Sequence, residues 1–228
     1  MTQHQGLRVE EGRIKVNHQG RDLIFSSQAY GPDTYANVQS AIEQNGLVAP
    51  TMAETAFKAH WAFYNDLEHA DEIRQLMKDR WLWAFTGSLY TPNGVYVQDH
   101  PEIRGGMPFM EEQGLIKKLE ANDSSVRFIP FEYQRGEMTS LQLAKNKYVI
   151  ALAGEEGAGN LAEVADKHER KPYVHSLESV NEPTIRVSAL DSYWDLGYGL
   201  GVSGCSRGGG RVAYAFGVQV APQARAEK

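Results

Sequence analysis

Cys205-Ser206-Arg207-Gly208-Gly209-Gly210-Arg211 sets a thiol and a guanidinium at C-x5-R spacing. That spacing suits hydrolysis of a phosphate ester. Loop N–H groups cradle the phosphate, the arginine clamps it, and a low-pKa thiolate attacks. Leu200–Val202 reads as the strand before such a loop. The chemistry also needs a helix after the loop, because a helix N-terminus lowers the thiol pKa. Here Val212 to Val218 reads as a strand. A cysteine-dependent phosphatase using Cys205 and Arg211 is therefore the alternative reading. The plain one is a surface cysteine in a glycine-rich loop.

Gly154-Glu155-Glu156-Gly157-Ala158-Gly159 reads as a turn between a strand at Tyr148–Leu152 and a helix at Asn160–Glu169. That context suits a nucleotide. The order is G-x-x-G-x-G, however, and two glutamates would repel a pyrophosphate. None of His4, His18, His60, His69, His100, His168 and His175 forms a metal-binding pair at helical or hairpin spacing. No metal and no cofactor is expected. Trp61, Trp81, Trp83 and Tyr90 fall at helix and strand periods beside other apolar residues, which predicts core packing rather than a ligand-stacking stripe.

The bulk numbers exclude several classes. A net charge of -6 argues against binding nucleic acid through phosphate contacts. No stretch reaches the roughly 18 apolar residues of a membrane helix. The polar start, Met1 to Arg8, lacks an apolar signal core, and a single cysteine allows no internal disulfide. A cytoplasmic protein is expected, folded as one domain over 1–228.

The elements follow from local signals. Leu7, Val9, Ile14 and Val16 alternate around a turn at Glu10-Glu11-Gly12, with Gln19-Gly20 turning the chain again into Leu23–Phe25. Pro32-Asp33-Thr34 starts a helix bearing Tyr35, Val38 and Ile42, which Gly46 stops. Thr51 and Glu54 form a capping box before Phe57, Trp61 and Tyr64. A third helix carries Ile73, Leu76 and Met77. Trp81–Tyr90 and Val95–Val97 flank the turn Pro92-Asn93-Gly94. Glu111–Leu119 reads as a helix and Val126–Ile129 as a strand. After Pro183 every segment reads as β: Ile185–Leu190, Leu196–Val202 and Val212–Val218. Helices come early and strands late, which predicts an α+β fold.

The C-terminal stretch is unusual in composition. Pro183 to Val218 contains no Lys, Glu, Gln or Met, although these types make up 48 of the 228 residues. At that background roughly seven or eight are expected in a window of this length. Within it Leu196, Tyr198, Leu200 and Val202 alternate with Gly197, Gly199, Gly201 and Ser203. Successive strand side chains point to opposite faces, so one face is bulky and the other nearly bare. A bare face either accepts a neighbouring backbone or is a face free to vary.

Ala49-Pro50-Thr51-Met52-Ala53-Glu54-Thr55, Trp81–Gly87, Tyr148–Gly157 and Tyr214-Ala215-Phe216-Gly217-Val218 look similar to archaeal proteins of uncharacterised function. The C-terminal arrangement resembles the variable proteins of diversity-generating retroelements. The resemblance implies a C-type-lectin-like fold. It also implies a C-terminal face rewritten at template adenines by a reverse transcriptase. Randomised AAC or AAT codons never give Lys, Glu, Gln, Met or Trp, which matches the depletion apart from Trp194. The implied ligand-binding face is Tyr193, Gly197, Gly199, Gly201, Ser203, Cys205, Ser206, Gly208, Gly209, Gly210, Val212 and Ala213. Leu196, Tyr198, Leu200, Val202, Arg207, Arg211 and Phe216 are the implied constant scaffold, within a variable β region over 184–218. The implied function is non-enzymatic binding of a protein or other macromolecular ligand, with no nucleic acid and no membrane as partner.

Overall fold

The structure is a computed structural model that describes residues 8–10, 12–18, 21–192, 199–208 and 211–220. Alternating residues in the first forty produce three short strands, β1 (Arg8–Glu10), β2 (Arg13–His18) and β3 (Arg21–Ser26), paired antiparallel in order. The expected turn at Gln19-Gly20 lies outside the described residues. After β4 (Tyr30–Asp33), helix α1 (Tyr35–Gln44) buries Tyr35, Val38 and Ile42. The capping box forms at the start of α2 (Met52–Asn65). The Thr51 side chain accepts from the Glu54 N–H, and the Glu54 carboxylate accepts from the Thr51 N–H at 2.7 Å. Asp66 then caps α3 (Leu67–Asp79) by accepting from the His69 N–H.

The hairpin expected around Pro92-Asn93-Gly94 is β5 (Leu82–Thr91) with β6 (Gly94–Asp99). A small hairpin follows, β7 (Glu102–Arg104) with β8 (Met107–Phe109), then α4 (Glu112–Glu120) and β9 (Val126–Ile129). Next come β10 (Gly136–Glu137), α5 (Ser140–Ala144), α6 (Lys147–Ala165) and β11 (Tyr173–His175). The C-terminal strands are β12 (Thr184–Asp191), β13 (Gly201–Ser206), β14 (Ala213–Ala215) and β15 (Val218–Val220).

The fold is α+β, and the helices reach further along the chain than the sequence suggests. Tyr148–Leu152 is the first part of α6 and not a strand. Its apolar, partly β-branched run carries no period, so length and caps decide. The deciding residue is Asn146. Its side-chain oxygen accepts from the N–H groups of Tyr148 at 3.0 Å and Val149 at 3.3 Å. Its amide donates to the Gln134 carbonyl at 2.8 Å. Asn146→Ala frees two buried donors and is expected to cost about 1–2 kcal/mol, read as a lower urea midpoint.

Of the glycines after this run, Gly157 and Gly159 are helical and Gly154 is not. Gly154 takes a φ of 74°, which kinks α6 and which a residue with a Cβ adopts only under strain. Gly157 faces α2, where the Ala53 Cα lies 3.5 Å from the position a Cβ would take, so the two helices approach closely. The strand-turn-helix context that a nucleotide loop needs is therefore absent here.

The central sheet runs β10-β11-β13-β12-β5-β14-β4, with β6 and then β9 added beside the distal half of β5. Pairing is antiparallel except for β11 with β13 and β14 with β5. Helices α2, α3 and α6 cover one face and bury Leu82, Ala84, Leu190 and Val202. Helix α1 covers Trp83, Phe85 and Ala189 on the other face. Burying both faces yields a closed interior, with Trp83 and Tyr90 at its centre as the aromatic periodicity predicts.

Candidate functional site

The glycine-rich C-terminal segment supplies β13, an interior strand flanked by β11 and β12. Of the expected face, Gly199, Gly201, Ser203, Ser206, Gly208 and Ala213 are buried. Cys205 and Val212 are half-buried, while Tyr193, Gly197, Gly209 and Gly210 lie outside the described residues. The bare face of β13 is thus a packed face. At Gly199 a Cβ would lie 2.5 Å from the Arg170 carbonyl oxygen, so a neighbouring backbone has taken the side chain's place. Gly208, at a φ of 63°, packs against Met107 and Val187. Among the described residues from 199 to 213, those that remain accessible are Cys205, Arg207, Arg211 and Val212.

The two stretches around the undescribed residues come to one end of the sheet. Leu190 and Tyr214 both pair with Leu82, and Asp191 pairs with Gly201. The Ser192 N–H donates to the Met77 carbonyl at 2.9 Å, fixing the exit of β12 beside the end of α3. The Arg211 guanidinium stacks 4.4 Å from the centre of a Trp81 ring, just before β14. Trp81, which sequence periodicity assigns to the core, is half-buried and forms the floor under Arg211.

Cys205 lies inside β13, and the chain after it leads to β14. Burial pushes its thiol up, and Ser203 opposes this only partly. The arginine of the C-x5-R pattern is occupied with Trp81. Around the cysteine stands a set of buried and half-buried hydroxyls. The Tyr90 hydroxyl donates to the Gly204 carbonyl at 3.1 Å and lies 2.5 Å from the Tyr148 hydroxyl and 3.2 Å from that of Ser176. Tyr133 joins through Ser176 at 2.7 Å. Burial holds the phenols of Tyr90 and Tyr148 well above their ordinary value, so all of them stay neutral hydrogen-bonding groups.

Among the described residues, no group of three or more His, Cys, Asp and Glu is placed to hold a metal ion, and no helix is long and apolar enough to cross a membrane. The chain matches no protein-family model, and comparison with curated proteins and with solved structures gives no significant match.

Proposed function

We propose that the chain is a non-enzymatic binding protein of C-type-lectin-like architecture whose glycine-rich C-terminal segment is diversified at its accessible positions, which face a macromolecular ligand. The observation that carries this is the shared end of the sheet. The exit of β12 at Ser192 and the approach to β14 at Arg211 and Val212 both lie by Leu82. Connections on a rigid, doubly covered sheet tolerate side-chain change and suit recognition. A raised thiol within a strand, and an arginine stacked on tryptophan, favour this reading over phosphate-ester hydrolysis.

The test is the DNA flanking the gene. A reverse-transcriptase gene and a near-copy of the codons for Ser192–Ala213 are expected, the copies differing only where the template carries adenine. Packing adds a constraint. Codons for Tyr193, Gly197, Cys205, Gly209, Gly210 and Val212 are expected to differ. Gly199 is expected to stay glycine, and Gly201, Ser203, Ser206, Gly208 and Ala213 to stay small. Copies that differ elsewhere, or a genome with no template, sink the proposal.

A further inference from the structure

Strand β6 sends Val95 and Val97 into the main core and, by alternation, turns Tyr96 and Gln98 to the opposite face. There Tyr96 joins Leu89, Met110, Leu115 and Val126 in a small apolar cluster. Gln98 is only 8% exposed, and its amide has no hydrogen-bond partner among the described residues. It lines the floor of a pocket of about 400 Å³ between the β7–β8 hairpin and α4. An amide offers two donors and an oxygen with two lone pairs, and these groups remain accessible at the pocket for a ligand to pair with.

The pocket is preformed. Phe109 remains 40% exposed, yet it is clamped, because the Arg104 guanidinium lies 3.7 Å from its ring centre. Arg104 is held in turn by two hydrogen bonds to Glu102, at 2.7 and 2.8 Å. Gly114, in the first turn of α4, has no atom within 4 Å of where a Cβ would be, so the helix presents a flat, open wall. At the rim, His100 adopts a φ of 47°, rare for a residue with a side chain, and donates its N–H to Phe85 at 2.9 Å.

Charge narrows the ligand. The carboxylates of Glu102 and Glu111 stand in the lining against one lysine, Lys118. Glu102 is already paired with Arg104, which leaves Glu111 against Lys118 and gives an anion no net positive charge to meet, whereas an uncharged ligand needs none. A flat ring lying on Phe109 gains stacking, and an edge with adjacent donor and acceptor pairs with both ends of one amide, the way glutamine reads adenine. We infer that this pocket binds an uncharged planar nitrogen heterocycle of nucleobase or nucleoside type, through the Gln98 amide and the Phe109 ring. No described residue of the C-terminal segment lines it, so it stands or falls independently of the diversified face.

The test titrates the full chain with adenine, adenosine and AMP by calorimetry and by NMR shifts of the Gln98 side-chain amide. Saturable binding of adenine and adenosine is expected. AMP is expected to bind no more tightly than adenosine, because the lining offers its phosphate no net positive charge. Gln98→Leu is expected to lose roughly tenfold or more in affinity while the melting temperature holds or rises. Phe109→Ala, at an exposed ring, is expected to lose roughly tenfold with an intact fold, and it carries the test if Gln98→Leu folds poorly. Absence of saturable binding by adenine and adenosine, AMP as the tightest ligand, or unchanged affinity in a folded Gln98→Leu or Phe109→Ala variant overturns the inference.

Discussion

Gly204→Ala is expected to destabilise the protein by about 3 kcal/mol or more, at the upper end for overpacking a core. The added methyl would sit 2.0 Å from the Tyr148 hydroxyl and 3.3 Å from a Leu152 methyl. Tyr148 is fully buried, and its hydroxyl is tied to Tyr90, so it cannot swing into solvent. The strand is held by β11 on one side and β12 on the other, so the backbone cannot retreat either. Any relief comes from breaking the contact among Tyr90, Tyr148 and the Gly204 carbonyl, which leaves buried hydroxyls unpaired. Equilibrium urea unfolding measures the loss. Tyr148→Phe in the same chain removes the clashing oxygen and is expected to restore part of the stability. An alanine variant as stable as the parent would show that β13 does not pack as described.

Lys58→Met is expected to stabilise the protein by about 2–4 kcal/mol at pH 7 and to flatten its stability between pH 7 and 9.5. Lys58 is 2% exposed, and its ammonium has no hydrogen-bond partner among the described residues. It is surrounded instead by the rings of Phe216 at 4.9 Å, Phe25 at 5.5 Å and Trp61 at 5.6 Å. Burial pushes its pKa down to about 7, with Glu72 and Asp66 opposing. The unfolded chain keeps the ordinary lysine value near 10.4 and so binds the extra proton between the two. Stability therefore rises with pH across that window, and the cost is fully present below about 7. Above about 10 the buried tyrosines reverse the slope, because unfolding then lets them ionise. Neighbouring His69, lowered to about 4 by burial and by Lys58, contributes in a different range. Its stability is lost as pH falls from about 6.5 to about 4. The methionine variant should keep that acid limb and lose the alkaline rise. A parent profile already flat from pH 7 to 9.5, or a lower melting temperature in the variant, would count against a neutralised lysine.

Where a signal was local, it was legible in the sequence. The capping box at Thr51 and Glu54, the helix faces of Tyr35-Val38-Ile42, and the turn at Asn93-Gly94 each involve residues within a few positions of one another. Tyr148–Leu152 is not legible as a helix, because a short apolar run is the same in a buried strand and a buried helix, and the Asn146 cap separates the two. The glycines from 199 to 208 were legible as a segment and not as a face. Alternation shows which residues are small, while only the fold reveals that Arg170 and Tyr148 fill the vacant space. Gln98 gave no sequence signal at all. A polar residue in the alternating run Val95-Tyr96-Val97-Gln98 reads as the solvent face of a strand, until α4 and the β7–β8 hairpin cover that face.

The pairing of β15 with β3 also governs the order in which the protein can be built. Val218, Gln219 and Val220 lie against Phe25, Ile24 and Leu23, and Ser26 exchanges hydrogen bonds with Gly217. A ribosome therefore finishes β3 long before the partner for that edge leaves the exit tunnel. Throughout synthesis the edge stays open, with Phe25 lacking the cover of Val218 and the Lys58 ammonium that of Phe216. Contacts so distant along the chain close late and slowly, and an open strand edge is a template for wrong pairing in the interval. Nascent chains stalled before Val218 should consequently depend on chaperones far more than released ones do.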